Sequence, residues 1–198
     1  MTDRYVKKMP DASTTDRLVA AAGDLFYARG IGPTGVDAVS RAARVTKPTL
    51  YAHFSSKEDL VAAVLRRRHE RRVDELTARL GPVDPRHRPL AVFDWLADFY
   101  ARAGHRGCGF LNAAAELPGD GPPRAAVQAE KVWLHDLLVR LCREAGHADA
   151  ERLGSVLLLL VDGVAGRVVV HGHGAAAGAV ADARSAAEVL LGQYGGRP

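Results

Sequence analysis

Cysteine is scarce in this chain. Cys108 and Cys142 are two thiols among 198 residues, too few for a disulfide-stapled secreted framework and in keeping with a reduced, cytoplasmic setting. Long apolar runs are missing too. The most apolar stretch, 156–161, is followed by Asp162 and Arg167, which are expected to keep it short of the about 20 residues of a membrane span. The first ten residues are polar and hold no apolar segment of the secretory kind. No run alternates with a period of two, so no sheet is expected, and no internal repeat is visible. Aromatics amount to only 6%. What is present is an ordinary globular content of 47% hydrophobic residues, enough for a real core without staples. The net charge of +4 gives a weak hint of an anionic partner.

The apolar residues fall at helical spacing. Leu18, Ala21, Ala22, Leu25 and Phe26 mark a first helix. Ser13, Thr14 and Thr15 can cap it, Asp16 suits its first turn, and Gly30 stops it. A short second helix is expected over 36–43. A third starts after the cap Thr46, with Pro48 in its first turn where a missing N–H costs little, and runs to residue 54. Ser55 or Ser56 caps a long fourth helix that reaches Leu80 and halts at Gly81-Pro82. After a Pro-rich loop at 81–89, helices are expected over 90–103, 111–117, from the 118–123 loop to 145, over 148–170 and over 176–191. The fold class is therefore all-α with about nine helices. A mobile arm over 1–13 precedes a three-helix domain over 14–56 and a larger helical domain over 57–198.

The second and third helices are joined by so short a turn that they form a helix-turn-helix, whose second helix can enter a major groove. Charge supports this. Residues 38–57 contain no Asp or Glu but do contain Arg41, Arg44, Lys47 and Lys57. That stretch carries +4, so the rest of the chain nets to zero. A basic, acid-free pair of helices suits a polyanion. At about 100° per residue, Leu50 and Phe54 point inward while Pro48 and Ala52 point outward, flanked by Thr49 and Tyr51. Pro48, Thr49 and Ala52 are placed for base edges and thymine methyl groups. Lys47, Tyr51, His53 and Lys57 are placed for phosphates, Lys57 also standing at a helix N-terminus.

The string Thr46-Lys47-Pro48-Thr49-Leu50-Tyr51-Ala52-His53-Phe54, followed by Ser56-Lys57-Glu58 and Leu60, closely resembles the DNA-binding domain of the TetR family. The resemblance extends over residues 15–65. It implies a homodimeric transcriptional repressor that a small molecule releases from a palindromic DNA operator, with the last two long helices as the dimer interface. It also implies DNA contacts at Thr34, Lys47, Pro48, Thr49, Tyr51, His53 and Lys57, to which the reading of the residues themselves adds Arg44, Thr46 and Ala52. Two departures stand out. Arg44 occupies a turn position where the family usually has Gly, and a non-Gly residue at positive φ carries strain. Gly35 stands where a second Thr often follows, which leaves Thr34 as the expected cap of the second helix.

A released repressor needs a second, coupled site. Both tryptophans fall in the second domain, and Trp95, Phe99, Phe110, Asn112, Glu116 and Trp133 are the expected lining of a pocket for a small, largely apolar effector. Small residues at 163, 166, 175–177 and 186–187 allow close helix approach at a two-fold interface. The run Arg66-Arg67-Arg68-His69-Glu70-Arg71-Arg72 goes round a helix and reads as a solvated face paired with Glu70, Asp74 and Glu75. Glu116, His135, Asp136, His171 and His173 are in no order that makes a nucleophile, base and orienter, so an enzyme is not expected. No cofactor, metal site or membrane partner is expected either. A DNA-binding regulator or activator without small-molecule release is the alternative.

Overall fold

A computed structural model describes residues 13–102, 106–117 and 119–194. The expected arm over 1–13 lies, but for Ser13, outside the described residues. The described residues form nine α-helices and no strand: α1 (Thr14–Arg29), α2 (Val36–Ala42), α3 (Lys47–His53), α4 (Lys57–Leu80), α5 (Arg88–Ala101), α6 (Gly109–Glu116), α7 (Pro122–Glu144), α8 (Ala150–His171) and α9 (Ala176–Tyr194). Single 3₁₀ turns lie at Pro85–His87 and His173–Ala175.

The caps fall where short polar side chains can satisfy the first free N–H groups. Ser13 Oγ accepts from Asp16 N, Thr46 Oγ1 from Thr49 N, and Ser56 Oγ from Asp59 N. Gly30 ends α1 at φ 95°, a left-handed value that a side chain would resist.

Two apolar clusters organise the molecule. One gathers Leu18, Phe26, Val39 and Leu50 from α1–α3, and Phe54 just after α3, around Leu60, Val61, Val64 and Leu65 at the start of α4, and continues to Phe110 and Ala113 on α6. The other fills the body between α4, α5, α7, α8 and α9. At the α7–α8 crossing, Gly154 lies so near Val139 that a Cβ there would meet its backbone nitrogen at 2.8 Å.

Asp162 and Arg167 do not interrupt α8. It is a continuous 22-residue helix whose most apolar window has a mean hydropathy of 2.0, long and apolar enough to cross a membrane by length and composition alone. One face, with Leu153, Leu157, Val161, Val164 and Val168, packs into the body. The opposite face leaves Leu159 and Val170 70% and 74% exposed.

Candidate functional site

The chain turns from α2 into α3 through three backbone bonds. Ala43 N donates to Val39 O at 2.8 Å, Arg44 N to Arg41 O at 3.2 Å, and Val45 N to Ser40 O at 3.0 Å. This closure puts Arg44 at φ 55°, the one non-Gly positive φ among the described residues. The left-handed geometry thus survives without glycine, and Arg44 is exposed to solvent.

On α3, Leu50 is fully buried and Phe54, just after it, nearly so. Pro48, Tyr51, Ala52 and His53 are exposed, and Thr49 is half-buried. The Thr46 and Thr49 hydroxyls share a hydrogen bond at 2.7 Å, which fixes the threonine rotamers at the front of the helix. His53 Nδ1 is hydrogen-bonded to Thr15 Oγ1 at 3.0 Å, tying the end of α3 to the first turn of α1. Lys47 Nζ lies 3.2 Å from Asp37 Oδ1, both side chains at least half exposed. Such a surface pair holds the lysine only weakly. Lys57 Nζ donates to Gly32 O at 3.2 Å.

Thr34 departs from its expected role. It is buried, and its hydroxyl donates to Gly30 O at 2.7 Å, closing the α1–α2 turn from inside. Gly35, without a side-chain bond, is the N-cap of α2. Thr34 therefore neither caps α2 nor faces an outside partner.

The six expected effector residues do not converge. Trp95 and Phe99 stack at 5.4 Å between ring centroids and wall a cleft of 560 Å³ between α1, α4 and α5. Asn112 and Glu116 border a separate hollow of 390 Å³ between α1, α4, α6 and α8. Trp133 borders a third, of 260 Å³, between α4 and α7. Phe110 is fully buried. Between Arg72, Tyr100, Leu134 and Val161 the body leaves 20 Å³, room for about one water molecule.

Two of the six have structural duties instead. Asn112 Nδ2 donates to Arg106 O at 2.8 Å. Glu116 Oε2 accepts from Ile31 N at 2.6 Å and Gly32 N at 3.0 Å, so α6 grips the turn that follows α1. Arg106 reinforces this joint: its guanidinium donates to Tyr27 O and Ala28 O, and its backbone N–H to the Tyr27 hydroxyl. That hydroxyl donates to Gly107 O. Burial raises the Tyr27 pKa, with the Arg106 N–H and Arg68 opposing, so the phenol stays a donor at neutral pH.

The arginine run is also unlike its expected form. Arg67 pairs with Asp16 of α1 at 3.5 Å, and Arg72 with the fully buried Glu130 of α7. His69 Nδ1 meets the other Glu130 oxygen at 2.5 Å. Burial works against the Arg72 charge, but Cys108 and Glu130 outweigh it and leave its pKa raised. A signal for this network is present in the residue pattern. Glu130 stands on the apolar stripe of Val127, Leu134, Leu137 and Leu141, and Arg68 and Arg72 stand on the stripe of Val61, Leu65 and Leu76. Charges at core-facing positions need partners.

A two-helix reader on a three-helix core, carried by a larger helical body, defines a DNA-binding transcriptional regulator. Comparison with known proteins places it further. Residues 13–64 match the family model for bacterial regulatory proteins, tetR family. The HTH-type transcriptional activator FasR of Mycolicibacterium smegmatis is 35% identical over 98 residues, 49% of this chain and 45% of FasR. The HTH-type transcriptional regulator TtgR of Pseudomonas putida is 28% identical over 169 residues, 76% of this chain and 78% of TtgR. The crystal structure of a TetR-family transcriptional regulator from Streptomyces coelicolor aligns with a TM-score of 0.85 at 31% identity, covering 92% of this chain and 96% of that one. The chain belongs to the TetR family of transcriptional regulators. Its relatives are regulators and not enzymes, and two of the residues weighed for catalysis are engaged elsewhere: Glu116 in the α1–α2 turn, His135 with Ser155.

Proposed function

We propose that this protein is a homodimeric repressor that reads a palindromic operator with α3 and leaves it when a small, largely apolar effector binds. It acts in the cytoplasm, where the operator is. Residues 14–56 are the reading unit and 57–198 the effector and dimerisation unit. The observation that carries the reading role is the outer face of α3: Pro48, Tyr51 and Ala52 are exposed, small or flat, and no carboxylate stands on that helix. Pro48, Thr49 and Ala52 meet base edges, and Arg44, Thr46, Lys47, Tyr51, His53 and Lys57 meet phosphates. Trp95 and Phe99 are the effector wall.

The dimer reading is supported by the free face of α8 and α9. Leu159, Gly163, Gly166 and Val170 recur at four- and three-residue spacing on α8, all exposed. Gly163, Gly166, Gly178 and Gly192 have nothing within 4 Å of a Cβ position. An apolar, small-residue surface on two adjacent helices suits an isologous four-helix contact.

Selection of bound duplexes from a random pool tests this. Enrichment of an inverted repeat is expected. A folded protein that enriches nothing would contradict it. FasR is an activator, which favours a second reading in which the bound protein raises transcription. Run-off transcription from an enriched site separates the two by sign.

A further inference from the structure

We infer that the cleft between α1, α4 and α5 is a binding site for an aromatic carboxylate, whose charge is held by Arg68 and Arg71 and whose ring lies against Tyr27, Trp95 and Phe99. The site itself rests on the side chains described below; its link to operator release rests on the effector reading above.

Arg67, Arg68, Arg71 and Arg72 form two adjacent columns on α4, each with like charges four residues apart. Such pairs destabilise a helix unless something compensates them. Five arginines and three carboxylates border the cleft. The carboxylates are largely spent: Asp16 on Arg67 at 3.5 Å, and Glu75 on Arg102 at 3.6 Å and on Trp95 Nε1–H at 3.3 Å. Asp24 remains, exposed on α1. Arg72 is taken by Glu130. Among the described residues Arg68 and Arg71 have no carboxylate within ion-pair distance.

Arg68 is also held in place. Its guanidinium lies 4.6 Å from the centroid of the Tyr27 ring. A Cβ at Gly109 would come within 2.8 Å of its Nη1, so the glycine leaves room for it. Arg68 borders both the 560 Å³ cleft and the neighbouring 390 Å³ hollow. Burial lowers its pKa, which marks a charge that water solvates poorly and that an anion would favour. A planar, fixed guanidinium binds a carboxylate with two parallel N–H bonds. The stacked Trp95–Phe99 pair offers a flat apolar wall. The cleft volume lies in the range of about 300–1,000 Å³ common for small-molecule sites. Because α1 is one wall and α4 another, an occupant bridges the reading unit and the body.

The test uses the full chain with 1-naphthoate and its neutral isostere 1-naphthamide, followed by calorimetry and tryptophan fluorescence. Naphthoate is expected to bind saturably, one per protomer. Naphthamide should bind about tenfold more weakly or worse, the scale of one charge-assisted hydrogen bond. Arg68→Met should cost naphthoate a similar factor, leave naphthamide unchanged, and leave thermal unfolding unchanged or higher. Arg71→Gln, at an exposed position, should weaken naphthoate by roughly threefold and serves if Arg68→Met does not fold. No saturable binding below about 10 mM, a Kd that would contribute only some 3 kcal/mol, overturns the proposal. So does equal binding of acid and amide, or unchanged binding in the variants. Naphthoate that binds at Arg68 without altering operator affinity would support the site and count against release. Operator selection needs no probe, so failure of DNA reading shows separately.

Discussion

The reading unit and the helical body use polar side chains in opposite ways. In the reading unit the helix caps are short-range, Ser13 to Asp16, Thr46 to Thr49 and Ser56 to Asp59, and one surface bond, Thr15 to His53, spans 38 positions. In the body several bonds join distant parts of the chain and are at least partly buried. Arg72 and Glu130 are 58 positions apart, and Arg184 and Asp94 are 90. Local caps shape a helix whatever the rest of the protein does. Buried long-range pairs exist only while the packing around them holds. The first unit is thus suited to present a fixed face to a partner, and the second to register a change in packing. Glu116 belongs to both: it stands on α6 and holds the backbone of the α1–α2 turn.

Substitutions in the two units should differ accordingly. Glu130→Ala leaves Arg72 buried without its carboxylate, and urea denaturation should show a loss of about 3–5 kcal/mol. A loss under about 1 kcal/mol would mean that Cys108 suffices for Arg72. Glu116→Ala removes two charge-assisted bonds to backbone N–H groups, and about 1.5–3 kcal/mol should go with them. Amide exchange at Ile31 and Gly32 should speed up with it; unchanged exchange would show that α6 does not hold this turn. Thr46→Ala, a lost cap in the reading unit, should cost about 1 kcal/mol, and the helix should persist because the Leu50 and Phe54 contacts remain. Arg44→Gly should stabilise the chain by about 0.5–1 kcal/mol, since relief of a left-handed side chain exceeds the entropy that glycine adds to the unfolded state. A lower melting temperature in that variant would show that φ 55° is not strained here.

The same contrast explains what can be read from the residues alone. The ends of α3 are legible because Thr46, Pro48 and Phe54 act through neighbours, and its faces because Leu50 and Phe54 share one side of a wheel. Thr34 misleads because a threonine before a helix looks like a cap, while its actual partner, Gly30 O, depends on how the turn folds back. The effector residues fare worst. Trp95, Glu116 and Trp133 each lie on the helix expected of them, but a helical wheel does not say which neighbouring helix a face meets. So they end at three different hollows. The arginine run misleads for a related reason. Its partners Asp16 and Glu130 come from α1 and α7 rather than from the next turn of α4. Asp162 looks like a break in the apolar run of α8, yet Lys131 of α7 pairs with it and the helix continues.

If the outer face of α3 reads DNA, Ala52 is the position that shows it best. Ala52 is exposed, so Ala52→Glu should leave the fold intact while setting a carboxylate against the phosphates. Fluorescence anisotropy with a selected duplex, over a series of salt concentrations, should show wild-type affinity falling steeply with salt, by about 0.9 in log–log slope per phosphate neutralised. The variant should show no specific binding. Tight, salt-sensitive and sequence-specific binding by a folded Ala52→Glu protein would contradict the assignment of α3 as the reader.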